Sequence, residues 1–388
     1  MLDIQGVIVK KIEKYENSMY YYLETRPKYQ ICPHCNCKTN HVHDYRTQKI
    51  EHLAMGTNKT YLILKKRRYV CPHCHKKFYE NYSFLQKYFR KSNNLINKII
   101  NDAKQQKSLK IIAEDNNTSI PTVNRYINYE IFLQNKSKIT TFPKHIGIDE
   151  FKGNSSKKDK YQVQITDLDT HKVIDIVESR SYDTLEKYFS QITNRNEVEI
   201  VSMDLYLGFK RIVKDKFPKA QIVADKFHYT RIVLNVLDQA RIDIERNMSK
   251  PYRRYFKGIK RIIMKRATEL KDYSKKRLLT AFELSPELKK LYDIKEEFLK
   301  INDTIGYEEK EKLFRNWIFK TESTCLKYFK SCLKTLRNWH KYISNSFKYN
   351  ISNGIVEGTN NKIKVLKRVS YGFRNFKNFR NRILIACS

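Results

Sequence analysis

The chain has 388 residues, 40% hydrophobic and 13% aromatic, which excludes a disordered protein and leaves room for about two to four folded units. Lys and Arg outnumber Asp and Glu by 77 to 41, a formal charge of +36, so the expected partner is a polyanion. No apolar run approaches the roughly 18 residues that span a bilayer and no lipidation signal is present, so nucleic acid fits better than a membrane. A genome rich in A and T, in which Lys codons accumulate, is the other source of such an excess.

Met1 to Glu16 carries charges within its apolar pattern and lacks the continuous apolar stretch of a signal peptide, so the protein is expected in the cytoplasm. Residues 1–90 read as a zinc-binding β unit, with short strands expected at Tyr61 to Leu64 and Lys66 to Val70. Cys32, Pro33, His34, Cys35 and Cys71, Pro72, His73, Cys74 make two matching knuckles. Four thiolates close a tetrahedral shell around zinc, leaving no open position for a catalytic water, and a redox site needs only one such pair. The zinc is therefore expected to be structural, held by Cys32, Cys35, Cys71 and Cys74. Cys37, His34, His41, His43, His73 and His75 crowd the same region and are read as polar surface residues, although each could replace a ligand. The basic run Lys65 to Arg68 either meets phosphates or forms a solvated strand face.

Residues 91–140 change to a helical period, with Leu95, Ile96, Ile99, Ile100 and Ala103 on one face, then Leu109, Ile111, Ile112 and Ala113 on another. The segment SLKIIAEDNNTSIPTVNRYI, Ser108 to Ile127, has a polar turn around Asn116 to Thr118 and a second helix opened by Ser119. That pattern is a helix-turn-helix whose second helix would turn Thr122, Asn124 and Arg125 to DNA; a three-helix unit without DNA contacts is the other reading. Asn135 to Pro143 is a polar linker.

In residues 141–228, strands are expected at His145 to Phe151, Tyr161 to Leu168 and Lys172 to Glu178, the first two separated by a turn over Gly153 to Ser156. A helix at Tyr182 to Ile192, a strand at Val198 to Met203, a helix at Leu207 to Phe217 and a strand at Gln221 to Ala224 follow. A three-strand meander and then alternating helix and strand match a ribonuclease-H-like α/β core. Residues 229–344 show no strand pattern and read as an all-helical insertion, one helix opened by Ser285 and Pro286. Residues 345–388 return to the core, with a helix at Asn353 to Lys367 and a basic aromatic stretch from Tyr371 to Arg382. The whole is a multidomain α+β protein.

The first strand runs into Asp149 and the fourth into Asp204, placing both carboxylates where open α/β sheets bind ligands. Glu357, in NGIVEGTNNKIKVLKR, could join them from the returning helix, with Asn361 and Lys364 near its face to touch a phosphodiester strand. Three carboxylates suffice for a pair of magnesium ions, for which manganese can substitute. With 41 acids in the chain, any single one reads equally well as a solvated residue or a helix cap.

The ordered set GIDEF, SMDLY, ADKFH and GIVEGTNNKIK, behind a Cys-knuckle domain and a helix-turn-helix, resembles the ISL-three family of bacterial insertion-sequence transposases over almost the full length. GFRNFKNFRNRIL resembles the family's closing segment. The resemblance implies a DNA transposase whose catalytic acids are Asp149, Asp204 and Glu357. It also implies binding of the element's terminal inverted repeats and of target DNA, in the bacterial cytoplasm close to the nucleoid. Asp225 and His228 resemble the Asp-x-x-His element of many cut-and-paste transposases and are expected to support the site or contact DNA, or else to cap a helix. Two DNA ends handled together make a homodimer the economical assembly. The alternatives are an inactive DNA-binding regulator and a magnesium nuclease of the same fold.

Overall fold

The computed structural model describes residues 4–134, 136, 138–153, 160–324, 327–349, 351 and 354–387. The chain divides into two units, Met1–Ser137 with Ile363–Ser388, and Lys138–Lys362.

In the first unit β1 (Val7–Tyr15) and β2 (Ser18–Thr25) form a hairpin. The short strands β3 (Gln30–Ile31) and β4 (Lys38–Thr39) pair on either side of the first Cys knuckle. A long hairpin of β5 (Val42–Met55) and β6 (Asn58–Val70) follows, with β7 (Lys77–Tyr79) on the other side of β6 beyond the second knuckle. The sheet order is β1-β2-β6-β5, with β2 and β6 parallel.

The two short strands expected at Tyr61 to Leu64 and Lys66 to Val70 are one. Leu62 and Leu64 are buried on one side of β6, whereas Arg67 and Tyr69 are buried on the other, so the alternation breaks at Lys65 while pairing with β5 continues. Neither reading of the basic run holds for Arg67. It is buried, donates to the Thr25 hydroxyl (2.7 Å) and carbonyl (2.8 Å), and lies 3.5 Å from buried Glu80. Arg68 pairs with Asp44 and Lys65 with Glu24, so much of the run's charge is matched within the unit.

Ser92 and Ser108 accept from Leu95 and Ile111 amides and cap α1 (Asn93–Lys104) and α2 (Leu109–Asp115). α3 (Ile120–Leu133) begins after Ser119 with Pro121 in its first turn, where the missing N–H costs nothing. The α2–α3 turn is sharp, with Asn117 at φ 47°, and Asn116 is buried and donates 2.8 Å to Asp102 of α1. Ile111, expected on the packing face, is exposed instead, while Ile112 and Ala113 are buried.

The second unit carries β8 (His145–Lys152), β9 (Tyr161–Asp167), β10 (Val173–Val177), α4 (Tyr182–Ser190), β11 (Ile200–Met203), α5 (Leu207–Lys216) and β12 (Gln221–Ala224). Each lies within a few residues of its expected place, although the turn at Gly153 to Ser156 falls largely outside the described residues. The strand order is β10-β9-β8-β11-β12; β8, β11 and β12 are mutually parallel and β9 is antiparallel to both its neighbours.

Helices alone follow among the described residues: α6 (Lys226–Asn247), α7 (Lys250–Phe256), α8 (Lys260–Ile263), α9 (Asp272–Leu284), α10 (Pro286–Asp303), α11 (Tyr307–Ser323), α12 (Phe329–Asn338), α13 (His340–Tyr349) and α14 (Gly354–Val369). Ser285 accepts from the Leu288 amide and Pro286 opens α10, as the sequence predicts. Asn353, expected to start the returning helix, lies outside the described residues. One apolar core runs from Ile146 and Val201 of the sheet through Tyr229 and Phe298 to Trp317, so the helices continue the sheet's core.

The closing helix α15 (Phe376–Ala386), in the first unit, packs on α1 and α3. Arg382, part of the basic stretch, is fully buried and donates to the carbonyls of Gln105 (2.8 Å) and Lys107 (3.1 Å) just past α1. A cation there offsets the negative end of the α1 dipole. Asn381 donates 2.7 Å to Asn128 of α3. No helix among the described residues is long and apolar enough to cross a membrane.

Candidate functional site

Parallel pairing sets Met203 opposite both Ile148 and Ala224, so Asp149, Asp204 and Asp225 stand at the same level of three adjacent strands; Asp204 and Asp225 follow the last residues of β11 and β12, whereas Asp149, expected at a strand end, lies within β8, which continues to Lys152 against β9. This is the carboxyl edge of the parallel part of the sheet. Asp204 and Asp225 are buried and Asp149 is half-buried. Burial, and then the Asp204 carboxylate beside it, push Asp149 up to about 8. The Glu150 amide donates to Asp149 Oδ1 (2.7 Å), and the Asn360 side-chain amide donates to Asp149 Oδ2.

Asp225 has two tasks: its Oδ1 accepts the Phe227 amide (3.2 Å) as the N-cap of α6, and its Oδ2 faces His228 Nδ1 at 2.7 Å. The same nitrogen is 2.8 Å from Asp204 Oδ1. One N–H cannot point at both, and its line runs to Asp225, which leaves Asp204 Oδ1 buried without a hydrogen bond. Burial disfavours the charged His228, but its two carboxylate neighbours outweigh burial and raise it to about 10. Asp204, Asp225 and His228 offer ligand atoms within 4.8 Å of one another.

Asp149, Asp204 and Asp225 crowd three carboxylates around the single imidazole of His228, so acids outnumber the cations that face them. Hard oxygen donors of this kind suit magnesium or manganese. The residues therefore fit such an ion.

The structure gathers Asp149, Asp204, Asp225 and His228, but Glu357 is not in that cluster. It stands exposed in the first turn of α14, and Asn361 and Lys364 are exposed with it. The buried face of this helix bears Val356 and Asn360. A side chain at Gly147 would come 3.1 Å from Val356 and 3.0 Å from Leu168, so this glycine lets the helix approach β8 closely. Asn360, which touches Asp149, escapes sequence reasoning; the signal was its place three residues after Glu357, but the adjacent Asn361 reads as well.

In the first unit the four knuckle cysteines converge. Cys32 Sγ lies 3.5 Å from Cys74 Sγ and Cys35 Sγ 3.4 Å from Cys71 Sγ. These distances far exceed a disulfide bond and approach the edge of about 3.8 Å that follows from zinc–sulfur bonds of about 2.3 Å. The knuckles repeat each other: Asn36 (φ 58°) donates to the Cys32 carbonyl and His75 (φ 54°) to the Cys71 carbonyl. The Cys74 amide, aimed at Cys71, draws that thiol down to about 6 and favours the thiolate that zinc binds. Cys37 and His73 approach Cys35 closely enough to form a second cluster, as their crowding in the sequence suggested. Of the residues expected to meet DNA, Arg125 is exposed on α3, with Thr122 and Asn124 half-buried.

A basic chain with a four-sulfur zinc ribbon and a carboxylate cluster at a sheet edge has the make-up of an enzyme of DNA rearrangement, and comparison with known proteins makes that class definite. The ISL-three family model described as "Transposase" matches residues 146–383, and the chain belongs to that family of insertion-sequence transposases. The model described as "zinc-finger of transposase IS204/IS1001/IS1096/IS1165" matches residues 28–74. The chain is 22% identical over 383 residues to the transposase for insertion sequence element IS1001 of Bordetella parapertussis, covering 97% of this chain and 94% of that protein. It is 23% identical over 257 residues to the transposase for element IS1557 of Mycobacterium tuberculosis, covering 60% of this chain and 57% of the relative. A shorter match, 38% identical over 101 residues, covers 26% of the chain and 31% of a Lactococcus lactis protein named an ATP-dependent protease.

Proposed function

We propose that the chain is an acidic-triad DNA transposase in which Asp149, Asp204 and Glu357 hold two magnesium ions at a ribonuclease-H-like core. The observation that carries this reading is the pair Asp149 and Asp204, set side by side where the parallel pairing of β8 with β11 ends, with His228 2.8 Å from Asp204. The strand order, third-second-first-fourth-fifth, supports the core assignment. When bound, the ions supply activation of the attacking oxygen and stabilisation of the leaving 3'-oxygen.

The chain's own residues set the stage for that chemistry. Asn360 and the Glu150 amide orient Asp149, while His228 stands between Asp204 and Asp225 and positions both. Glu357, Asn361 and Lys364 share the exposed face of α14. There Lys364 and Asn361 meet the phosphodiester strand and Glu357 closes the ligand set. Terminal inverted repeats are recognised by the zinc ribbon and by α3, which lays Thr122, Asn124 and Arg125 in the major groove as the second helix of a helix-turn-helix. A homodimer holds both ends before their 3'-hydroxyls are joined to target DNA, in the bacterial cytoplasm.

The test is strand cleavage of duplexes carrying the element's ends by the full chain with magnesium. Asp149→Ala, Asp204→Ala and Glu357→Ala should each abolish cleavage and leave end binding nearly intact. Cleavage retained by Asp204→Ala rejects the two-metal reading, and cleavage retained by Glu357→Ala rejects the third ligand. Wild-type protein that binds without cutting would instead be a regulator, and one that cuts without joining a nuclease.

A further inference from the structure

Beside α3 the first unit carries a groove of about 850 Å³. One wall is the α2–α3 turn and the start of α3, with Asn117, Thr122 and Arg125; the other is the segment Tyr88 to Lys91. The second wall is held from both sides. Phe89 packs edge-on against Tyr126 and Tyr129 of α3, at 5.8 and 5.2 Å between ring centres. Its carbonyl accepts from Gln48 of β5 (2.8 Å), and Glu51 donates through its amide to the Arg90 carbonyl (2.9 Å).

This clamp displays two side chains. Tyr88 sits at φ 69°, a conformation bulky residues rarely adopt, and the residue is 87% exposed. A strained backbone that presents an aromatic ring to water gains nothing for folding, so the strain points to a role outside the fold. Arg90 is exposed and has no carboxylate partner among the described residues; Arg125 across the groove is the same. The acid in the lining, Glu51, is neutralised by buried Lys91. Lys87, over the Tyr88 ring, adds a further cation. The groove is thus basic and aromatic with its internal acid cancelled, which matches a sugar–phosphate backbone.

We infer that Tyr88 and Arg90 grip the DNA backbone flanking the groove that α3 enters, Arg90 pairing with a phosphate and Tyr88 packing on the adjoining deoxyribose. This rests on the reading of α3 as the recognition helix and adds a second, sequence-independent contact to it. A phosphate contact fixes register and weakens all sequences alike when lost, whereas a base contact carries preference.

The experiment measures binding of the full chain to a duplex carrying the element's end, and to a scrambled duplex, across a salt series. Arg90→Ala should bind about fivefold more weakly to both duplexes, and its salt slope should fall by about one. Tyr88→Ala should also weaken both, with the slope unchanged. Both side chains are exposed, and an unaltered melting temperature confirms folding; a smaller active fraction would leave the slope intact for Arg90→Ala, which separates misfolding from a lost contact. Wild-type affinity in both variants, or weaker binding by Arg90→Ala at an unchanged slope and an unaltered melting temperature, overturns the inference. Arg125→Ala distinguishes this from the underlying reading: it should lose preference for the end sequence, and preference retained removes α3 as the reader whatever Arg90 does.

Discussion

The side chain of Asn360, on the buried face of α14, donates to Asp149 of β8, joining the helix that bears Glu357 to the strand that bears the first acid. Removing this donor frees Asp149 to turn and unties the first turns of α14. Asn360→Ala should lower end cleavage about 10- to 100-fold, the range seen when a partner of a metal-binding group is deleted, with end binding unchanged. Equal loss of cleavage and binding would show that the residue only maintains the fold.

The four-sulfur centre links β3, β4 and the ends of β6 and β7, which share little apolar core. Chelating zinc, or Cys71→Ser, should expose the remaining thiols to an alkylating reagent and abolish end binding. The helical circular dichroism signal should persist, because most helices belong to the second unit. Unreactive thiols after chelation would argue against a zinc-dependent fold there.

Arg67 and Glu80 are both buried, with Thr25 bridging them. Arg67→Ala leaves a carboxylate in an apolar setting without its partner. Urea denaturation of the first unit's transition should show a loss of about 3 to 5 kcal/mol, and replacing both residues by apolar ones should recover most of it.

Asp102 anchors the α2–α3 turn by accepting from Asn116. Burial opposes its charge, but Asn116, Lys98 and Lys107 outweigh burial and hold its carboxyl below the ordinary value. A carboxyl with a lower value in the folded state stabilises the fold above its unfolded value and loses that stabilisation as pH falls through the folded one. The three-helix unit should therefore weaken below about pH 4, and Asp102→Asn should flatten that dependence in melting experiments. An unchanged acid profile in Asp102→Asn would assign the loss to other carboxylates.

The elements that sequence reveals best are those whose pattern is local. β8, β11 and β12 are short apolar runs bounded by acids or turns, and the zinc knuckles are fixed by their own spacing. Asn360 was hidden because its partner is 211 residues away and nothing local separates it from Asn361. Arg67 and Arg382 look like surface cations in sequence, since a guanidinium is buried only when other segments supply carbonyls and acids, and those partners come from Thr25, Glu80, Gln105 and Lys107. The Asp204–Asp225–His228 cluster was half legible: the ends of β11 and β12 were visible, but the convergence of two carboxylates on one imidazole nitrogen is a matter of geometry.

The position of α15 has a consequence for biosynthesis. A ribosome makes α1 and α3 early, yet the helix that covers them emerges only after residues 138–362 have been translated. The apolar flank of the nascent trio waits uncovered through that interval, so a fragment ending near residue 137 is expected to be sticky and poorly soluble.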